Sequence, residues 1–130
     1  MPPGQVRNEI VRLAHRGLGV AEFSLAAARA LRRAVPFDGV CVVTMDPATH
    51  LVTGHTIENG LPEAVLPRYA EIEAVEDDVN KFAALARAET PAATLSAATE
   101  GKLDRSLRPR ELRRHNGYGG GDLRAAWAGW

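Results

Sequence analysis

Pro36 separates two hydrophobic periods that no single kind of secondary structure can satisfy. Before it the apolar residues recur at helical spacing: Val6, Ile10, Leu13 and Ala14 within Gln5 to Arg16, then Val20, Phe23, Ala27, Ala30 and Leu31 within Val20 to Ala34. Gly17 stops the first pattern, and Arg29, Arg32 and Arg33 place positive charge at the negative end of the second helix dipole. A residue preceding proline is pushed out of the α region, so the second helix must end before Pro36. After it the period falls to two. Gly39 to Met45 is β-branched and almost wholly apolar, the pattern of a strand buried on both faces. Asp46-Pro47-Ala48-Thr49-His50 has turn chemistry, and Leu51 to Glu58 alternates Leu51, Thr53, His55 and Ile57 with Val52, Gly54, Thr56 and Glu58. Two helices followed by a hairpin are therefore predicted, closed by a turn at Asn59-Gly60-Leu61-Pro62.

The remainder returns to helix and then fragments. Glu63 to Ala88 reads as two short helices interrupted at Pro67 and near Asp77-Asp78, with Asp78 placed to cap the segment Val79 to Arg87. Pro91 to Ser96 is expected to be extended. Leu103 to Arg114 forms a charged helix if Pro109 only kinks or shortens it, Asn116 to Gly121 is loop, and Asp122 to Trp130 begins like a strand. Strands in a run with helices before and after predict an α+β domain with an antiparallel sheet. A sheet of only these strands would leave a long unprotected edge, so the domain is expected to be incomplete toward its C-terminus.

Composition narrows the function classes. Sixteen basic residues balance sixteen acidic ones, so no global field draws the chain to nucleic acid or anionic lipid. One cysteine excludes an intrachain disulfide and any multi-cysteine zinc site, which suits a reducing cytoplasm. The N-terminus does not have the pattern of an export signal, and no apolar run approaches the roughly 20 residues that span a bilayer.

The residues that could carry chemistry each have a simpler reading. Cys41 sits mid-strand among apolar residues with no adjacent His or basic group to form a thiolate, so core packing is expected rather than a redox role. His50 and His55 have no acidic or sulfur ligand at metal-site spacing; a turn histidine and a half-buried strand histidine are expected, with no metal. Glu71, Glu73, Glu76, Asp77 and Asp78 lack the Asp-x-Asp-x-Asp-Gly order of a calcium loop and read as a solvated helix end. Asn80 and Lys81 are expected in an exposed first turn with Phe82 in the core. Lys102, Arg105, Arg108, Arg110, Arg113 and Arg114 make a basic segment without stacking aromatics or a helix-turn-helix pattern, hence a solvated face. The glycines at 117, 119, 120 and 121 form no phosphate-binding fingerprint, and no nucleophile elbow occurs. No catalytic constellation and no cofactor are implied.

The segments Phe23 to Leu31, Val35 to Cys41 and Thr44 to Pro47, continued by Gly54 to Pro62 and Asp78 to Phe82, resemble the N-terminal GAF-like domain of bacterial LuxR-type transcriptional regulators. The likeness extends over roughly residues 10 to 119. It implies a GAF-like sensory domain over 1–119, incomplete, followed by an atypical end over 120–130 that would reflect truncation or a frameshift. It also implies that the domain binds a small ligand or a partner and controls a DNA-binding domain that is absent from this chain. Strand alternation and helical facing then place a pocket at Val43, Thr53, His55, Ile57, Tyr69 and Phe82. The alternative is a dimerisation module in which the two N-terminal helices pair with those of a second copy.

Overall fold

The computed structural model describes residues 2–113 and 123–125. The loop expected over Asn116 to Gly121, and most of the atypical end over 120–130, lie outside the described residues. The chain is α+β, and it divides into two compact units, residues 1–44 with 54–60 and residues 45–53 with 61–130.

The first unit is built on a helical pair, α1 (Pro3–Ala14) and α2 (Val20–Arg32). Helix α1 starts two residues earlier than expected because Pro3 occupies its first position, where a missing N–H is harmless. Gly17, at φ +70°, makes the left-handed exit. Val6 is the buried anchor of α1, while Ile10 and Leu13 are half-buried. On α2 the buried residues are Ser24, Ala28 and Ala30; Val20 and Leu31, at its two ends, remain exposed although the period assigned them to the apolar face. Glu9 of α1 pairs with Arg33 just past α2, and Arg32 stacks on Phe37 at 4.8 Å from its ring centre.

Strands β1 (Val40–Met45) and β2 (Val52–Glu58) pair as a two-stranded sheet, as the turn between them predicts. The strand expected to be buried on both faces is only half-buried along most of its length, and Cys41 is exposed rather than packed in a core. A lone hairpin can cover at most one face, so the apolar run overstated the depth of burial. Gly39 is required at its open end, since a Cβ there would collide with the Asn59 carbonyl. Asn59 itself takes φ +51°, in keeping with its turn chemistry.

In the second unit the hairpin tip is tied by Asp46, whose Oδ1 accepts hydrogen bonds from the Ala48 and Thr49 amides at 2.9 and 2.8 Å and from the Thr49 hydroxyl at 3.1 Å. These donors hold the Asp46 carboxyl below its usual value, the Thr49 amide contributing most. A 3-10 turn (Glu63–Val65) leads into α3 (Leu66–Ala74), where Pro67 lies in the first turn and starts the helix rather than interrupting it. Then follow α4 (Phe82–Arg87), β3 (Ala92–Thr94), α5 (Leu95–Ala98), a second 3-10 turn (Leu103–Arg105) and a π-helical stretch (Arg108–Arg113). Over the described residues, the charged helix expected over 103–114 is replaced by a 3-10 turn and a π-helical stretch that contains Pro109. Strand β4 (Leu123–Ala125) returns to pair antiparallel with β3 in the register Ala92–Ala125, Ala93–Arg124, Thr94–Leu123. The strands therefore form two separate two-stranded sheets. The apolar core of this unit is Ile72, Phe82, Leu85, Leu95 and Leu112, and set among it are buried Glu73, Thr99, Ser106, Arg108 and Arg124. Among the described residues no helix is long and apolar enough to cross a membrane.

Candidate functional site

Among the described residues, the second unit holds four charged side chains almost wholly out of water. Helix α3 projects Tyr69 and Glu73 from one face, being four residues apart. The connection to α4 supplies Asp78 and Asn80, the π-helical stretch supplies Arg108, and β4 supplies Arg124 from the far end of the sequence. Side-chain exposure is 5% or less for Glu73, Asp78, Arg108 and Arg124. Two anions against two cations leave the cluster formally neutral, which is what allows such groups to remain charged away from water.

Glu73 is the hub. Its Oε2 accepts a hydrogen bond of 3.0 Å from the Phe82 amide, the first of α4. Its Oε1 lies 2.6 Å from Arg124 Nη1 and 3.8 Å from Arg108 Nη1, as ion-pair contacts without hydrogen-bond alignment. The α4 amide is thus capped by a carboxylate from a preceding helix. Asp78, expected to cap that helix in solvent, instead accepts from Ser106 Oγ at 3.0 Å and Arg108 Nη1 at 3.2 Å, as well as from the Val79 amide at 2.8 Å. Arg108 completes its contacts by donating to the Val79 carbonyl at 2.9 Å. Burial first, and the neighbouring Arg124 second, push the Arg108 guanidinium below its usual value. The acidic cluster and the basic segment, both read from sequence as solvated faces, therefore each send their central members into the core toward one another.

Arg124 is enclosed on more sides. Its Nη1 donates to the Asn80 carbonyl at 2.8 Å and its Nη2 to the Tyr69 hydroxyl, while the guanidinium lies 3.9 Å from the Phe82 ring centre and 5.6 Å from that of Tyr69. Asn80 holds φ +51° and donates from its Nδ2 to the Thr94 carbonyl at 3.1 Å, which ties the residue whose carbonyl accepts from Arg124 to β3. Burial pushes the Tyr69 phenol up, against the opposing pull of Arg124.

Beside this network lies a cleft of about 210 Å³ lined by His50, Leu51 and Val52 of the hairpin tip and by Ala70, Glu73 and Ala74 of α3. Glu73 thus belongs to both cleft and network. His50 is the turn histidine expected, at φ +57°, and its Nδ1 is buried without a hydrogen bond.

Of the six residues expected to line a pocket, Val43, His55 and Ile57 belong to the first unit and Thr53, Tyr69 and Phe82 to the second. His55 and Thr53 are exposed, Val43, Ile57 and Tyr69 half-buried, and Phe82 buried. His55 was expected half-buried; alternation along β2 is real, but the face carrying Thr53 and His55 is the more exposed one. The structure brings Tyr69 and Phe82 together around Arg124. It also adds Glu73, Asp78 and Arg108, which charge-pattern reading set aside, Asn80, which was expected in an exposed first turn, and Arg124. A signal for two of them was present: Glu73 follows Tyr69 by four residues beside Ile72, and Arg124 lies between apolar neighbours in a strand. Among the described residues no group of three or more His, Cys, Asp or Glu could hold a metal ion. No protein-family model, curated protein or solved structure matches the chain.

Proposed function

We propose that the chain is a cytoplasmic, non-catalytic sensory domain of the GAF-like type found in LuxR-type regulators, which binds a small ligand and biases an attached DNA-binding domain. The observation that supports this reading is the shared position of Glu73, which lines the cleft and also anchors α4 and β4 through Phe82 and Arg124. An occupant pressing on Ala70 or Ala74 acts on the helical turn that carries Glu73. That gives a local binding event a route to two other elements of the same unit. The cleft is smaller than the roughly 300–1,000 Å³ of drug-sized sites, so it suits a compact metabolite with an apolar body facing Leu51, Val52 and the two alanines.

Screening of small polar and apolar metabolites by amide chemical-shift perturbation tests the proposal. A binder should shift His50, Leu51, Val52, Ala70 and Ala74 together, and Ala70→Leu, which fills the cleft, should abolish those shifts. Binders whose shifts ignore this set, or an absence of binders across the screen, would refute it.

A second reading, dimerisation through the N-terminal helices, is favoured by exposed Val11, Val20, Leu31 and Val35 in the first unit. Sedimentation at high concentration decides it, and a monomer there sinks it.

A further inference from the structure

The enclosure around Arg124 has the chemistry of a recognition site. The stretch 69–94 supplies several of its walls: the Tyr69 hydroxyl and ring, the Glu73 carboxylate, the Asn80 carbonyl, the Phe82 ring and the edge of β3. The group that fills it comes from a strand of only three residues, β4, at the other end of the unit's sequence. Planar donors reach a carbonyl, a phenol and a carboxylate while an aromatic ring covers a face, an arrangement selective for guanidinium over ammonium. Without Arg124 the cluster would hold Glu73 and Asp78 against Arg108 alone, a net buried negative charge that favours a cationic occupant. The β3 edge, meanwhile, offers main-chain pairing to any extended segment, the mode by which peptides add to sheets.

We infer that this enclosure is an arginine-recognition site, loaded in cis by Arg124 of β4, and that it accepts the arginine of an extended segment of a partner protein in its place. The cis strand then acts as an internal competitor. Binding in trans requires β4 to leave the β3 edge, so the partner gains access only against the effective concentration of a tethered ligand. This inference shares Glu73 with the cleft bounded by His50 and Ala70 but rests on different observations, the contacts of Arg124 with Tyr69, Asn80 and Phe82.

The test uses the full chain with Arg124→Ala and the peptide acetyl-Asp-Leu-Arg-Ala-Ala-amide, which repeats residues 122–126. Calorimetric titration should show the variant binding this peptide, the wild-type chain binding it at least about tenfold more weakly because its own strand competes, and the Arg→Lys peptide binding the variant at least about tenfold more weakly than the Arg peptide. Adding Glu73→Gln to the variant should weaken the Arg peptide, since the carboxylate that pairs with its guanidinium is lost. Should circular dichroism show that Arg124→Ala does not fold, Arg124→Lys replaces it as a weaker cis occupant. Wild-type chain provides a further readout, since peptide at millimolar concentration should displace β4 and shift the amide signals of Ala92, Ala93 and Thr94 on β3. Equal binding of Arg, Lys and Ala peptides, or no binding and no such shift, overturns the inference. A strand-exchanged dimer of the wild type, seen as a doubled mass, also overturns it by making a second copy the occupant.

Discussion

Replacing Glu73 by glutamine tests the hub directly, because it removes one charge while preserving an acceptor for the Phe82 amide. Arg124 and Arg108, with side-chain exposures of 3% and 1%, would then lose a buried carboxylate that both approach, leaving Asp78, in contact with Arg108 at 3.2 Å, as the other buried anion of the cluster among the described residues. Breaking a buried pair from one side costs about 3–5 kcal/mol, because the remaining charge is left desolvated and uncompensated. Partial exposure cannot discount that figure here, as it would for surface pairs. For a chain of this length the loss corresponds to a drop in Tm of roughly 10–20 °C. Glu73→Ala should be worse by about 1–2 kcal/mol, since the first amide of α4 then loses its acceptor as well. Urea titration followed by circular dichroism measures both, with an unchanged slope indicating that stability alone has altered. Pairing Glu73→Gln with Arg124→Met closes the cycle: the double variant should recover at least about 2 kcal/mol relative to the sum of the singles. If Glu73→Gln lies within about 1 kcal/mol of wild type, the charges are solvated and the hub assignment fails.

Three further outcomes follow from Gly39, Asp46 and Cys41. Gly39→Ala forces a Cβ against the Asn59 carbonyl and should destabilise the first unit by about 1–3 kcal/mol, read by hydrogen exchange across β1 and β2. Asp46 is held below its ordinary value by the Thr49 amide, so its contribution is present above the unfolded-chain value and disappears as pH falls through the lower folded one. The stability gap between wild type and Asp46→Asn should therefore be constant near neutrality and close below about pH 4. Cys41 is exposed, so a thiol reagent should label the native chain as fast as the urea-unfolded one; protection of the native thiol would restore the core placement read from sequence.

Local rules were legible where a single segment decides its own conformation. Pro36, the turn residues 46–50 and Asn59-Gly60 locate the helices and the hairpin to within a few residues, because φ restriction and hydrogen bonding within four residues settle those boundaries. Pro67 was misjudged for the same local reason: proline ends a helix from its interior but opens one from its first turn. The network escaped because its partners are remote. Glu73 meets Arg124 across 51 positions of sequence, and a charge pattern counted along the chain cannot show that an acidic cluster and a basic segment neutralise each other in the core. Asp78 illustrates the substitution: a competent capping residue is drawn off by Ser106 and Arg108, and the cap is supplied by Glu73 instead.

Sharing of Glu73 makes the two proposed activities testable against each other as well as separately. A ligand in the cleft would meet the turn of α3 that carries Glu73, the partner of Arg124, so the shared residue predicts coupling between the cleft and the arginine site. Thermodynamic linkage then requires symmetry: a metabolite that weakens the arginine peptide by some factor must itself be weakened by that factor when the peptide is bound. The pair of titrations, metabolite with and without peptide and peptide with and without metabolite, measures both sides on the Arg124→Ala chain. Equal factors different from one identify Glu73 as the coupling group, and Glu73→Gln should bring both to unity. Factors of one in the unmodified hub would mean that cleft and slot are independent, and the cleft would then lose its route to β4.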